Sequence, residues 1–217
     1  ALFGYAVAKL CGPAGFLGIS SLAIISSVTN SNGGLFMALA GEFGDSIDIA
    51  SQAVMNINDG PFLTLIALGA TGMADIPFMS LMAAISPILF GCILGNLDHK
   101  IKEFLAPGLA ILIPFFAFGL GAGIKLTSVA SAGFSGVLLG VLVVVVSGIP
   151  MFFADRYINH RPGYAAAAAS SAAGNSVATP AAVAFVAPAY ASLVEIATTQ
   201  IAAAVIVTTI LTPLVTT

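Results

Sequence analysis

The sequence predicts an all-α integral membrane protein, and three observations lead to that fold class. Hydrophobic residues make up 59% of the 217 residues and charged residues only 7%, with a mean hydropathy of +1.10. The apolar residues form long continuous runs, whereas a membrane barrel needs short alternating segments. Lipid offers the backbone no hydrogen-bond partners, so such runs have to span as helices.

The charged residues divide the chain into seven long uncharged intervals, which we interpret as membrane elements. They are residues 10–41, 60–74, 76–97, 104–124, 126–154, 162–194 and 196–217. A spanning helix needs about 20 residues, and four of these intervals supply that length directly or after trimming. Interval 60–74 is too short to span by itself.

Two intervals, 10–41 and 162–194, are too long for one simple span and contain polar, helix-breaking interiors. The first contains TNSNGG at residues 29–34 and the second contains SSAAGNSVATP at residues 170–180. Gly and Pro interrupt the helical hydrogen bonds, and the freed backbone groups must face protein or a water-filled cavity. The sequence therefore predicts two broken helices.

The spacing of the two breaks indicates an internal repeat. Counting elements from the first break to the second gives five steps, as two halves of five helices each would produce. Paired interruptions mark the binding site of many transporters. The halves would be inverted, with residues 1–75 as the remainder of the first repeat and 76–217 as the second. This requires about three helices before Gly12, so we expect a chain truncated at its N-terminus.

The first break carries amide and hydroxyl groups next to a flexible backbone. Its candidate binding residues are Thr29, Asn30, Ser31, Asn32, Gly33 and Gly34. Such groups suit a polyhydroxylated, carboxylated small molecule, and the half-helix that follows would direct unpaired N–H groups and a partial positive charge at it. The alternative is a capped helix junction in which Asn and Ser satisfy the local backbone.

The second break follows an alanine-rich run that permits close helix crossing. Its candidate binding residues are Ser170, Ser171, Gly174, Asn175, Thr179 and Pro180. The alternative is helix packing, with the hydroxyls bonded to carbonyls of their own segment.

Two acidic residues are candidates for carrying a proton, because a carboxylate near the membrane interior is usually functional. Asp59 stands directly before Gly60 and is either a helix cap or an ion or proton site. Glu42 follows the half-helix after the first break and is either a titrating group or a solvated loop residue. We rank Asp59 first and Glu42 second.

Several functions have little support in this sequence. His99 and His160 lack a second ligand at metal-binding spacing, so we expect no metal and no cofactor. There is no basic stripe for nucleic acid, and no nucleophile with an adjacent base for an intramembrane enzyme. Cys11 and Cys92 have no pairing pattern and are expected to pack as small buried side chains.

The Lys and Arg residues of short loops predict the orientation in the membrane. Four of them, Lys100, Lys102, Arg156 and Arg161, fall on one side, against Lys9 and Lys125 on the other. The first side is therefore expected to be cytoplasmic, and the C-terminus with it.

Five long phrases of the chain resemble the bacterial 2-keto-3-deoxygluconate permease family. They are NGGLFMALAGEFGD, GPFLTLIALGATG, GNLDHKIKEFLAPGLAILIPFFAFGLGAGI, SSAAGNSVATPAAVA and AVIVTTILTPL. The resemblance implies a proton symporter that imports this sugar acid across the bacterial inner membrane. It also implies a bile-acid-symporter-like fold of ten helices, in which the fourth and ninth are broken and cross. On that mapping residues 13–40 are the fourth helix, 163–188 are the ninth, and the chain covers the C-terminal two thirds.

Three alternatives remain open at this point. Unwound carbonyls can also coordinate sodium, which allows a sodium-coupled organic-anion carrier of the same fold. A passive pore or scaffold, or a membrane fragment that does not transport, would also have this composition. The sequence leaves the oligomeric state open.

Overall fold

The computed structural model describes residues 2–12, 15–58, 60–122 and 126–217, and this part of the chain is helical without a named strand. The α-helices are α1 Leu2–Cys11, α2 Ser21–Val28, α3 Gly33–Phe43, α4 Ser46–Ala50, α5 Gln52–Met55, α6 Phe62–Ala70, α7 Phe78–Leu97, α8 His99–Ala122, α9 Leu126–Val143, α10 Ile149–Tyr157, α11 Tyr164–Ala169, α12 Thr179–Val186 and α13 Val194–Thr216. A π-helical turn, Val144–Gly148, joins α9 to α10, and 3₁₀ turns occupy Asn56–Asn58, Gly174–Val177 and Pro188–Leu193. The predicted all-α class is confirmed.

Three continuous helices of the described chain are long and apolar enough to cross a membrane. They are Phe78–Leu97, Ala132–Tyr157 and Pro188–Thr216, and the bent pair α2 and α3, with 41° between its axes, makes a fourth if it counts as one span. These ranges overlap the intervals predicted from the charges. The membrane class is thereby supported, while the count of about seven elements and the inverted repeat stay predictions.

Both predicted breaks are present. Residues 29–32 separate α2 from α3, and residues 170–178 separate α11 from α12. The expected start of the first broken helix at residue 13 is wrong, because α2 begins only at Ser21. Leu17 and Gly18 before it have φ angles of 51° and 78°, which no right-handed helix contains. The hydroxyl of Ser20 then caps α2 by accepting the Ala23 N–H at 3.2 Å.

Helices α9 and α13 form a close pair through two glycines of α9. A Cβ atom on Gly140 would lie 2.6 Å from the Val207 Cβ and 3.2 Å from the Ala204 carbonyl oxygen. A Cβ atom on Gly136 would collide with the Ala203 side chain. The backbones therefore approach more closely than larger residues would allow, as the GxxxG spacing predicts.

A buried glutamine links this helix pair to the start of α2. Gln200 of α13 is 1% exposed, and its Oε1 accepts the Ser20 N–H at 3.0 Å and the Ser20 hydroxyl at 3.2 Å. Its Nε2 donates to the Gly18 carbonyl at 2.6 Å and to Ser135 Oγ at 3.3 Å. The oxygen and the nitrogen of the Gln200 amide are thus both hydrogen-bonded, and they link α13 to α9 and to the segment that begins α2.

The hydrophobic side chains form two clusters. The larger cluster lies between α2, α6, α9 and α13, and its fully buried members include Leu22, Ile25, Leu68, Leu139 and Ile201. The smaller cluster forms where α3 crosses α11 and contains Phe36, Leu39, Ala40, Ala168 and Ala169. The second cluster places the two broken helices against each other.

The expectation that both cysteines are buried is wrong. Cys11 and Cys92 are free and exposed. Cys92 lies on α7, whose apolar window contains no residue buried by the rest of the described chain.

We predict that Gly140→Val weakens the α9 and α13 pair, because its side chain would overlap Val207. Overpacking of this kind costs about 1–3 kcal/mol. Thermal unfolding in detergent should show a lower midpoint for this variant. Gly91→Val is the matched control, since Gly91 of α7 is exposed with no atom within 4 Å of its Cβ position. Equal losses in the two variants would contradict the proposed packing.

Candidate functional site

The two breaks touch through a hydrogen bond. The backbone N–H of Asn32, in the first break, donates to the hydroxyl of Ser171, in the second, at 3.1 Å. Around this bond α3 packs on α11. The structure therefore brings together the two polar segments that the sequence singled out.

The first break is held in place by Thr64 of α6, which is fully buried. Its hydroxyl lies 2.7 Å from Thr29 Oγ1, and Thr29 donates in turn to the Ile25 carbonyl at 2.7 Å. Asn30 Nδ2 donates to the Ser26 carbonyl at 2.8 Å and to Thr64 Oγ1 at 3.4 Å. Asn30 is 4% exposed, and its Oδ1 has no hydrogen-bond partner within the described residues. This oxygen is therefore a buried acceptor without a donor in the described chain.

The rest of the first break supports the start of α3. Asn32 Oδ1 accepts the Leu35 N–H at 3.1 Å and so caps the helix. The expectation that the first N–H groups of α3 are unpaired is therefore wrong for Leu35. Ser31 Oγ accepts from Asn58 Nδ2 at 2.5 Å. A Cβ atom on Gly33 would lie 2.6 Å from Gln52 Nε2, so glycine permits this contact, while the neighbouring Gly34 is exposed.

The unwound backbone of the second break is satisfied by α13. Thr208 Oγ1 accepts the Ala172 N–H at 3.1 Å, and Thr212 donates its hydroxyl to the Ser170 carbonyl at 3.0 Å. Both threonines are fully buried. These two bonds replace hydrogen bonds that a continuous helix would have made itself.

Most hydroxyls of the second break bond to their own segment, the packing alternative left open by the sequence. Ser170 donates to Ala167 at 2.6 Å, and Ser176 donates to Ala173 at 2.5 Å. Thr179 lies 3.5 Å from the Asn175 carbonyl. Of the remaining candidates, Ser171 contacts the first break, Gly174 is exposed and Pro180 is buried in the first turn of α12.

A cavity of about 500 Å³ lies against the first break, a size typical of small-ligand sites. Its polar lining residues are Thr29, Asn30, Ser31, Asn58, Thr71 and Ser147. Ser147 is presented by the π-helical turn, and such turns recur at functional sites. From the second broken helix, Ala169 lines the cavity. The lining residues do not include Ser171, Asn175 or Thr179. The cavity therefore belongs mainly to the first break, α6 and the π-helical turn.

Of the two predicted proton-carrying residues, only Glu42 belongs to the described part of the chain. Asp59 lies outside the described residues, although Asn58 before it lines the cavity. Glu42 is exposed in the last turn of α3, so the expectation that it follows that helix is wrong. Within the described chain no cluster of three or more His, Cys, Asp or Glu residues is placed to hold a metal.

The whole chain is similar to a known family of membrane proteins. All of residues 1–217 match the family described as 2-keto-3-deoxygluconate permease. The chain belongs to that permease family. The resemblance inferred from its phrases is thereby confirmed, and so is the expectation of a membrane permease and not an enzyme.

Several curated members of the family are similar along nearly the whole chain. The chain is 51% identical to 2-keto-3-deoxygluconate permease 1 of Salmonella typhimurium, covering 98% of this chain and 67% of that protein. It is 42% identical to the 2-keto-3-deoxygluconate permease of Xanthomonas euvesicatoria pv. vesicatoria, covering 97% of this chain and 69% of the relative. It is also 42% identical to the 2-keto-3-deoxygluconate permease of Escherichia coli O139:H28, covering 93% of this chain and 62% of that protein. The chain thus spans about two thirds of the length of these permeases, and no solved structure matches it.

An ion pair joins the outer ends of the two broken helices in this permease chain. Arg161, in the loop before α11, places Nη2 2.7 Å from Asp45 Oδ1 and 2.9 Å from Asp48 Oδ1. Its Nε also donates to Asp48 Oδ1 at 3.1 Å. Asp45 and Asp48 form a capping box at the start of α4, just after α3. From the sequence Arg161 served only as a marker of orientation, so this role was missed.

The ion pair predicts a pH-dependent contribution to stability. The hydrogen bond from Arg161, above all, lowers the pKa of Asp45. A carboxyl with a lowered folded-state pKa adds stability above its unfolded pKa, about 3.9 for Asp. That contribution is lost as the pH falls through the folded-state value.

We therefore predict that Arg161→Gln lowers the thermal midpoint at neutral pH and that this deficit shrinks in acid, once Asp45 is protonated. Thermal unfolding in detergent over a pH series would measure it. Arg156→Gln serves as the control, because Arg156 is exposed in the last turn of α10. A deficit of the same size at every pH would contradict the ionic origin.

Proposed function

We propose that the native protein is a secondary active transporter that carries 2-keto-3-deoxygluconate into the cell together with a proton. The observation that carries this proposal is the cavity of about 500 Å³ beside two broken helices that touch. Interrupted helices in contact form the substrate sites of many secondary transporters. The family and its named relatives supply the substrate class. The named relatives are bacterial and support an inner-membrane protein, and the Lys and Arg distribution supports a cytoplasmic C-terminus.

The first break offers the groups that a sugar acid needs. Asn30 Oδ1 can accept a bond from a substrate hydroxyl, since no described residue donates to it. The neighbouring Thr29 and Ser31 also line the cavity, and other elements add Asn58, which donates to Ser31 Oγ, and Ser147. In the second break we assign Ser171 to the substrate as well, because its hydroxyl lies at the contact between the breaks and accepts the Asn32 N–H, so its own hydrogen can be donated to a substrate oxygen. Asn175 and Thr179 would join the site as the two halves rearrange during alternating access.

We predict that Asn30→Ala raises the KM for uptake of labelled 2-keto-3-deoxygluconate. A lost hydrogen bond of about 0.5–1.5 kcal/mol corresponds to an increase of roughly two- to tenfold. Initial uptake rates into proteoliposomes holding the full-length protein would measure it. Asn96→Ala is the control, since Asn96 is exposed on α7 and bonds the Cys92 carbonyl of its own helix. An unchanged KM in Asn30→Ala would remove Asn30 from the site.

We assign proton coupling first to Asp59 and second to Glu42, and uptake assays separate the two. Proton-driven accumulation should collapse in Asp59→Asn, while Glu42→Gln should retain most of it because Glu42 is exposed. The measurement is uptake of labelled substrate into proteoliposomes under an imposed pH gradient, with and without sodium. Accumulation that requires sodium and ignores the pH gradient would instead favour a sodium-coupled organic-anion carrier. Equilibration without accumulation under either gradient would indicate a passive pore.

A further inference from the structure

An acidic side chain is buried near the end of an apolar helix and takes no part in the site described above. Asp155 of α10 is 8% exposed and lies within the membrane-compatible helix Ala132–Tyr157. Its Oδ1 accepts a bond from Asn159 Nδ2 at 3.0 Å, whereas its Oδ2 has no hydrogen-bond partner among the described residues. Buried carboxyl groups in membrane helices are costly, and they usually mark ion or proton pathways.

The position of Asp155 connects it to the cavity. The same helix presents Ser147 and Met151 to the cavity wall. Residues four apart lie on one helix face, so Asp155 follows Met151 by one turn along that face. The buried carboxyl group therefore lies one turn beyond the cavity wall, toward the loop that carries Arg161.

The elements packed against α10 carry few charges that face this carboxyl group. The π-helical turn has no titratable residue, and α11 contributes Tyr164, whose ring contacts Phe43. The loop after α10 carries His160 and Arg161 and folds back, so that the Arg161 N–H donates to the Asp155 carbonyl at 3.0 Å. On its own helix, Arg156 is exposed.

The side chain of Arg161, whose backbone N–H bonds Asp155, already forms ion pairs with other carboxylates. The Arg161 guanidinium contacts Asp45 and Asp48 of α4 at 2.7 and 2.9 Å. Two carboxylates therefore share the charge of Arg161, and the described structure gives Asp155 Oδ2 no ion pair. A proton is the simplest group that can neutralise this carboxylate in place.

We propose that Asp155 is a proton-coupling residue of the transport cycle, in addition to those assigned from the sequence. A hydronium ion on the cavity side transfers a proton to Oδ2: one of its O–H bonds breaks, the Oδ2–H bond forms, and a neutral acid and a water molecule remain. After the rearrangement the acid returns that proton to water on the side of Arg161, and the carboxylate is restored. One substrate anion and one proton then cross together without net charge. This inference rests on the proposed function, because it needs a proton-driven carrier.

The test separates net symport from exchange in proteoliposomes that contain the full-length protein. For one proton per substrate, an inward gradient of one pH unit supports about tenfold accumulation, since one unit is a factor of ten in an equilibrium. We expect Asp155→Asn to lower this accumulation to about the external concentration, while counterflow of labelled against unlabelled substrate stays within about twofold of wild type. Counterflow moves substrate both ways and needs no net proton transfer.

Two control variants leave the Asp155 carboxyl group in place. Asn159→Ala removes the partner of Oδ1 but retains the acid, and Glu103→Gln removes an exposed acid of α8. Both should accumulate substrate as wild type does. If Asp155→Asn fails to insert, Asp155→Glu replaces it and should retain substrate-induced proton entry, measured with a pH-sensitive dye inside the vesicles.

The outcomes distinguish this inference from the function on which it rests. Normal proton-driven accumulation in Asp155→Asn would overturn the role of Asp155 and leave the symporter intact. Loss of counterflow together with accumulation in a folded Asp155→Asn protein would also overturn it, because the residue would then serve substrate binding or packing. Absent proton entry in a folded Asp155→Glu protein would do the same. Wild-type protein that neither accumulates nor exchanges substrate would refute the proposed function itself.

Discussion

The hydrogen bond between the Asn32 N–H and the Ser171 hydroxyl is the contact on which the rest of the structure depends. Each broken helix exposes backbone groups that lipid cannot satisfy, so neither break is tolerable alone. Where the two segments meet, a hydroxyl of the second break accepts a backbone N–H of the first. The apolar crossing of α3 and α11, with Phe36, Leu39 and Ala168 buried in it, holds the two broken helices together beside this part-buried contact.

Threonines on neighbouring helices provide further hydrogen bonds to the two breaks. Thr64 of α6 supports the first break, and Thr208 and Thr212 of α13 support the second. A hydroxyl can both donate and accept, so a threonine fits into an apolar helix and can still bond polar groups of another segment. The cavity lies beside the break whose support leaves an acceptor, Asn30 Oδ1, without a partner. Support of the backbone and recognition of a ligand thus share the same few polar residues.

Local chemistry made the two breaks predictable from the sequence, because Gly, Pro and clustered Asn and Ser disturb a helix wherever it packs. Their partners were not predictable, since Thr64 and Thr208 are ordinary residues of apolar helices until the fold brings them near. Asp155 was missed for another reason. Charges were read as boundaries between elements, whereas the helix continues through Asp155 to Tyr157. The late start of α2 followed from positive φ angles at Leu17 and Gly18, which composition does not reveal.

The four hydrogen bonds of Gln200 have a mechanical consequence. They tie the beginning of α2 to α9 and α13, although α2 precedes the first break and the other two helices belong to the later part of the chain. Any motion that preserves these bonds carries α2 along with α13 as one rigid body. A hinge between α2 and α3 would then fall in residues 29–32. The segment that lines the cavity would also be the segment that bends, so filling the cavity would directly stiffen the joint.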